Sequence, residues 1–206
     1  MDHSKHRLAF ERHLPVGAVD YCLGLWLEQG FQLKITPDRT SKLGDYRYDP
    51  NTGKHRISIN GSLNPYAFLV TYIHEVAHKV NFDLHQNRVD PHGKEWKHQF
   101  KKLMIPMLRE DIFPMSILGP LALHMKNPKA TSVSDPVLFK ALRHHDTKTS
   151  GVFLSDIDLG QKFLFKKTVY RKIQQKRTRV LCEACHTGKQ YLISGTAPVQ
   201  QFKNET

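Results

Sequence analysis

Apolar and polar residues follow two different periods in the first part of the chain, and these periods predict helices and strands in mixed order. Residues 15–29 carry apolar side chains at helical spacing, whereas residues 31–35 and 55–60 alternate like half-buried strands. Tyr46 and Tyr48 mark a further strand between those two. The pattern therefore predicts an α+β fold in which helices pack on a small three-stranded sheet.

The next segment predicts a long helix with one apolar face. Asn64 and Pro65 fit an N-cap followed by proline at the first helical position. At about 100° per residue, the apolar residues of this helix share one stripe: Leu69, Ile73, Val76, Ala77 and Val80. A second amphipathic helix is predicted after His92, and the spacing of Trp96 within it favours a place in the core over the wall of a substrate cleft.

The remainder of the chain changes character twice. Residues 114–150 contain Pro114, Pro120, Pro128 and Pro136, and they predict an irregular connection with one short helix from Ser134-Asp135-Pro136 to His145. His144 and His145 are expected to be exposed and not to bind metal. From Val152 onward, short alternating runs separated by turn residues predict a small β-meander. We therefore expect two domains, residues 1–150 and residues 151–206.

Among the thirteen histidines, two stand in a pattern that fits metal binding. His74 and His78 are four residues apart on the long helix, away from its apolar stripe, so their imidazoles point the same way and can share one ion. Glu75 lies beside the first of them, and His92 follows fourteen residues after His78. The alternative interpretation is an ordinary amphipathic helix with two solvated histidines.

Three neutral imidazoles and one open position form a usual ligand set for a catalytic zinc ion. With His74, His78 and His92 as ligands, Glu75 can act as general base toward a water molecule whose pKa the zinc ion lowers. The pattern predicts a zinc-dependent endopeptidase, although the same chemistry would serve other amides and esters. The metzincin pattern is excluded, because those enzymes place the third histidine much closer to the second.

The order of these motifs resembles the SprT-like zinc metallopeptidase family. The resemblance rests on three segments in this order: Arg56-Ile-Ser-Ile-Asn60, His74-Glu75-Val-Ala-His78 and His92-Gly-Lys-Glu-Trp96. It implies a zincin-like domain in which the three histidines bind zinc and Glu75 is catalytic. Some members of the family degrade proteins crosslinked to DNA, so the resemblance also implies a protein substrate and a DNA-associated role.

The net charge of +12 is associated with a basic segment near the C-terminus. This segment contains no acidic residue between Gln161 and Arg179, and its candidate nucleic-acid-binding residues are Lys166, Lys167, Arg171, Lys172, Lys176, Arg177 and Arg179. Aromatic residues interleaved with them (Phe163, Phe165 and Tyr170) could stack on bases while the basic side chains follow a phosphate backbone. The alternative is a solvated strand face whose aromatic residues belong to a small core.

The three cysteines argue against a disulfide framework, and two of them form a possible second metal site. Cys182 and Cys185, with His186, match half of the zinc ribbon that many SprT-like proteins carry after the protease domain. No cysteine or histidine lies between Phe163 and Tyr170, where the other half is expected. We therefore expect a degenerate zinc-ribbon-like domain without metal; a distant ligand or a partner chain completing the site is the alternative. Haem attachment is disfavoured, and Cys22 is expected in the core.

Neither end of the chain nor its interior predicts a membrane segment. The first residues lack the apolar run of a signal peptide, and no stretch has the length of a membrane span, so a soluble, cytoplasmic protein is expected. The leading hypothesis is a zinc endopeptidase that acts on DNA-associated proteins. The alternative is a nucleic-acid-binding protein that contains zinc but does not catalyse hydrolysis. Sequence leaves the oligomeric state open.

Overall fold

The computed structural model describes residues 4–39, 42–86, 88–147 and 151–202. These residues form two compact units that divide between Asp146 and Thr147. The first unit is mixed α and β, as predicted, and the second is mainly β. Among the described residues, no helix is both long and apolar enough to cross a membrane.

The first unit contains helices and strands in mixed order. Its helices are α1 (Ser4–His13), α2 (Val19–Gln29), α3 (Pro65–His85), α4 (Lys94–Met104), α5 (Met115–Lys126) and α6 (Pro136–Arg143). Its strands are β1 (Gln32–Thr36), β2 (Gly44–Asp49) and β3 (Lys54–Asn60). The three strands lie within two residues of their predicted positions, since period-two alternation is strong over short half-buried segments.

Strand β3 is the centre of the predicted three-stranded sheet. It pairs in parallel with β1 and antiparallel with β2, which makes β2 an edge strand. Ile57 and Ile59 of β3 are fully buried in the core, as are Phe68, Leu69 and Ile73 of α3. Helix α3 contacts both β2 and β3. The sheet and α3 therefore hold each other through apolar burial, which is the main stabilising term in such packing.

Helix α3 begins as the sequence predicts. The Asn64 side-chain oxygen accepts hydrogen bonds from the backbone N–H groups of Tyr66 and Ala67, and Pro65 occupies the first helical position. The Asn64 amide nitrogen also donates to the Leu142 carbonyl of α6. One side chain thus caps α3 and connects it to a helix far away in sequence.

Three helical segments differ from the prediction. Helix α1 was not predicted, and residues 16–18 form a short 3-10 turn before α2. The segment expected to be irregular contains α5, with Pro120 inside the helix. Proline removes a backbone donor and disfavours a helix interior. Here the burial of Ile117, Leu121 and Met125 on one face outweighs that local cost.

The second unit is a six-stranded antiparallel sheet, in agreement with the predicted β-meander. In chain order its strands are β4 (Val152–Phe153), β5 (Lys162–Phe165), β6 (Thr168–Gln175), β7 (Arg179–Ala184), β8 (Gln190–Ser194) and β9 (Pro198–Gln201). They lie side by side in the order β4, β9, β5, β6, β7, β8. The small core of this unit consists of Leu154, Ile157, Phe163, Val180, Cys182 and Val199.

Candidate metal centre

Helix α3 and the segment before α4 bring the three predicted ligands together. His74 and His78 lie one helical turn apart on α3, and His92 lies two residues before α4 begins. Helix α4 packs against α3. The Nε2 atom of His74 is 3.2 Å from Nε2 of His78 and 3.4 Å from Nε2 of His92. Within the described residues, these three form the one group of three or more histidine, cysteine or acidic side chains with convergent ligand atoms.

The spacing of these nitrogens fits a shared metal ion. Two nitrogen ligands each about 2.05 Å from a tetrahedral ion lie about 3.3 Å apart. The separations of 3.2 Å and 3.4 Å agree with that value. The group contains imidazoles and no carboxylate, a donor set that suits zinc and related transition metals.

Burial keeps the three rings in the form that binds metal. It lowers the pKa of His74 well below the usual value, and charge on His78 and His92 would lower it further. Burial, followed by charge on His92, lowers the pKa of His78 to about 3, and burial alone lowers the pKa of His92. The imidazoles are therefore neutral near pH 7, with lone pairs available to an ion.

The Trp96 side chain of α4 packs against the rings of all three histidines. Its ring centroid is 4.6 Å from that of His74, 5.2 Å from that of His78 and 4.8 Å from that of His92. The side chain has no solvent exposure, which confirms the predicted core position. Because the indole contacts every ligand ring, it restricts their rotation around the common point.

Glu75 faces the edge strand of the sheet. The side chain is 6% exposed, and its carboxylate accepts a hydrogen bond from the backbone N–H of Tyr46 in β2. Burial and then the nearby charge of Asp45 raise the pKa of Glu75 to about 8, although the Tyr46 hydrogen bond and the charges of Lys42 and Arg39 oppose them. A buried carboxyl group with a pKa near neutrality can take up and release a proton.

Tyr46 also forms part of the wall beside His78. Its ring is nearly parallel to the His78 ring, with centroids 6.4 Å apart, and its hydroxyl lies 2.9 Å from Nδ1 of His55. Burial raises the pKa of this hydroxyl far above its usual value, so it stays protonated. The hydrogen bond to the imidazole holds the Tyr46 ring in place.

The three histidines and Glu75 line one cavity of about 720 Å³. Its walls come from β2, from α3 and from residues 130–132. His124 of α5 also lines this cavity. The sequence analysis missed His124, because it lies in the segment expected to be irregular and no spacing relates it to the motif on α3.

The two candidate cysteines of the second unit are not arranged with a third ligand in the described residues. Cys182 is fully buried on β7 and its thiol donates to the Val180 carbonyl, whereas Cys185 is exposed. Burial raises the pKa of the Cys182 thiol to about 11, against a smaller opposite effect of Lys172. This thiol is therefore protonated near pH 7 in the metal-free protein.

The basic segment divides into exposed residues and one buried lysine. Lys172 is 3% exposed, and its ammonium donates to the carbonyls of Leu154, Ser155 and Ile157. It is a structural residue, so its inclusion among the candidate nucleic-acid-binding residues was wrong. The others are exposed on β6, on β7 and in the adjoining turns: Lys166, Lys167, Arg171, Lys176, Arg177 and Arg179.

The aromatic residues of this segment belong to the small core. Phe163 has no solvent exposure, and Phe165 and Tyr170 pack against the buried cluster around it. Phe163 and Tyr170 stack on each other with ring centroids 5.8 Å apart. Of the two alternatives drawn from sequence, core packing is the one observed for these rings, and base stacking by Phe163 is excluded because its ring is inaccessible.

Comparison with known proteins places the centre within a described family. Residues 21–112 match the model of the SprT-like family, a stretch that contains the three histidines and Glu75. No curated protein and no solved structure matches the chain. The resemblance inferred from sequence motifs is confirmed over this stretch.

Proposed function

Residues 21–112 belong to the SprT-like family, and from this premise we propose that the protein is a zinc-dependent endopeptidase. The observation that carries the proposal is the convergence of three imidazole Nε2 atoms beside a buried glutamate in one cavity. A purely structural metal site needs the ligands but has no use for a carboxylic acid of near-neutral pKa at its edge.

The proposed metal ligands are His74, His78 and His92, and the proposed ion is Zn²⁺. When bound, a zinc ion supplies a Lewis acid that polarises a carbonyl group and makes water more acidic. Three protein ligands leave a tetrahedral ion with one further position. The three histidines line the cavity, so a zinc ion held by them would be placed at its wall, where a peptide could reach it.

Glu75 is the proposed general base. Its carboxylate takes a proton from the water molecule that attacks the peptide carbonyl, and it can return that proton to the departing amine. The Tyr46 N–H bond orients the carboxylate, and the packing of α3 against β2 keeps it beside the ligands. Hydrolysis then consumes one water molecule and one peptide bond, and the protein is restored.

DNA-associated proteins are the proposed substrate class. Six basic side chains of the second unit are exposed (Lys166, Lys167, Arg171, Lys176, Arg177 and Arg179). Such a group can bind phosphates without reading base sequence. Binding to DNA would raise the concentration of DNA-bound proteins near the cavity.

The test compares wild type with Glu75→Gln on a basic protein substrate. We expect both proteins to bind one zinc ion per chain and only the wild type to cleave, because the glutamine keeps the size of the side chain and cannot accept the proton. His144→Gln is the control for an exposed residue and should cleave like the wild type. Bound zinc with equal cleavage by Glu75→Gln would refute the role of Glu75.

A second arm tests the proposed DNA association. Cleavage and DNA binding are measured with and without single-stranded DNA over a range of salt concentrations. We expect DNA affinity to fall as salt rises, with a shallower slope after Lys176 and Arg177 are changed to glutamine. If wild type binds zinc and DNA but cleaves nothing under any condition, the non-catalytic nucleic-acid-binding alternative replaces the protease.

A further inference from the structure

The cavity contains a fourth histidine that the proposed mechanism does not use. His124 lies on α5, its side chain is 2% exposed, and its ring lines the cavity together with the three ligand histidines. His124 does not belong to the group with convergent ligand atoms in the described part of the chain. It is therefore not a fourth metal ligand, and its buried ring needs another explanation.

Asp135 sets the orientation of the His124 ring. The Nδ1 atom of His124 lies 2.9 Å from one carboxylate oxygen of Asp135, and the other oxygen accepts the Leu138 N–H at the start of α6. Burial raises the pKa of Asp135, but hydrogen bonds from His124 and from Leu138 outweigh it and hold the pKa below its usual value. Asp135 is therefore ionised near pH 7 and can only accept, which assigns a proton to Nδ1 of His124, whether Nε2 carries a second proton or not.

The other ring nitrogen is left for a ligand. Within the described residues, Nε2 of His124 makes no hydrogen bond. This atom is also not among the fully buried side-chain nitrogen and oxygen atoms that lack a hydrogen-bond partner, so it retains some accessible surface. It therefore keeps contact with the cavity that its ring lines. A charge on His124 would also lower the pKa of His74, so the two rings lie close enough to interact electrostatically.

We propose that His124 is a further catalytic residue, whose Nε2–H donates a hydrogen bond to the carbonyl oxygen of the peptide bond under attack. This inference rests on the proposed function. As the carbonyl oxygen gains negative charge, a donor already oriented toward it stabilises it more than it stabilises the substrate. This role requires a proton on each ring nitrogen, and the Asp135 carboxylate would stabilise that doubly protonated ring by its charge and by accepting the hydrogen bond from Nδ1–H.

Two substitutions of His124 separate this role from a structural one. Asparagine can place its amide nitrogen near the position of Nδ1, so His124→Asn keeps a donor for Asp135 and has nothing at the position of Nε2. Glutamine reaches the position of Nε2, so His124→Gln restores a donor toward the cavity. His144→Gln serves as the matched histidine control because His144 is exposed.

The readouts are kcat and KM for peptide cleavage, the affinity of a phosphinic peptide for the zinc-loaded protein, zinc content and the Tm. The phosphinic group carries negative oxygens at a tetrahedral centre and needs no turnover. For His124→Asn we expect kcat to fall about 10²–10³-fold with little change in KM, and phosphinic affinity to fall by a similar factor. We expect zinc content and the Tm to stay at the wild-type level, and His124→Gln to recover part of both losses.

Other outcomes overturn the inference. If His124→Asn keeps the kcat and the phosphinic affinity of wild type, Nε2 does not contact the reacting group. If His124→Gln loses as much as His124→Asn and both lower the Tm, the ring is structural. If wild type binds zinc and cleaves nothing, the proposed function fails, and the ratio of phosphinic affinities still decides whether Nε2 faces the site.

Discussion

Gly44 at the start of β2 leaves no room for a methyl group against α3. A Cβ atom at this position would lie 2.6 Å from the Cγ2 methyl of Thr71 and 2.7 Å from the Oε1 atom of Glu75. Ordinary contact begins at 3.4 Å. The backbone at Gly44 cannot easily retreat, because it pairs with Ile59 of the central strand. We therefore predict that Gly44→Ala displaces the Glu75 carboxylate while leaving the three histidines in place.

The size of the effect follows from the overlap. Relief of the two contacts requires about 0.8 Å of movement at Thr71 and about 0.7 Å at Glu75, and misplacement of a catalytic group by about 1 Å can cost about 10²-fold in rate. The Thr71 side chain cannot turn away freely, because its hydroxyl donates to the Ala67 carbonyl. We expect kcat to fall about 10–10²-fold and the free energy of unfolding to fall by about 1–3 kcal/mol from overpacking.

The assay measures kcat for peptide cleavage, zinc content and urea unfolding of Gly44→Ala beside Gly24→Ala. A Cβ atom at Gly24 in α2 would meet nothing within 4 Å. The control should therefore keep wild-type kcat and gain about 0.5–1 kcal/mol of stability from the better helix former. Gly44→Ala with wild-type kcat and stability would show that β2 does not position Glu75, and loss of zinc would place the damage at the ligands instead.

Two further predictions concern buried charged groups. In the metal-free protein, the pKa of Glu75 is raised from 4.5 to about 8. The folded state therefore binds this proton more tightly than the unfolded state does, and the free energy of unfolding falls as pH rises through that range. The urea midpoint of Glu75→Gln should exceed that of wild type at the alkaline end of this range, with a smaller difference at the acid end. Lys172→Met should lower the free energy of unfolding by about 2–4 kcal/mol, because three carbonyls lose their donor. Faster amide exchange in β5–β7 would report this loss, with the exposed Lys176→Met as control, and equal exchange in both variants would contradict it.

The histidine pair on α3 and the elements around it could be predicted from sequence because both depend on local geometry. The spacing of His74 and His78 is one helical turn. The alternation of apolar and polar residues in β1 and β3 lies within short segments, so it can be recognised without knowledge of the rest of the chain. Asn64 and Pro65 act on the first turn of α3 alone. His92 was identified by its distance from the histidine pair along the chain, whereas the packing of α4 against α3 brings its ring to them.

Long-range packing decided the rest. Helix α5 exists despite Pro120, because burial of one apolar face outweighs a local cost that sequence makes visible. Lys172 was expected in solvent with its basic neighbours, yet three carbonyls of residues 154–157 accept hydrogen bonds from its ammonium, and this segment meets Lys172 only when the second unit folds. The aromatic residues of the same segment lie in the core for the same reason.

The sequence by itself determined that His74 and His78 can share a metal ion, since four residues make about one helical turn, and that Glu75 stands beside the first of them. Only the tertiary structure decided that the backbone of β2 at Gly44 lies close to the Glu75 side chain. It also decided that His124 lines the same cavity and forms a hydrogen bond with Asp135. Asp135 is eleven residues from His124, and neither has a fixed spacing to the motif on α3. Contacts between separate elements depend on the packing of whole faces, and sequence spacing does not encode that packing directly.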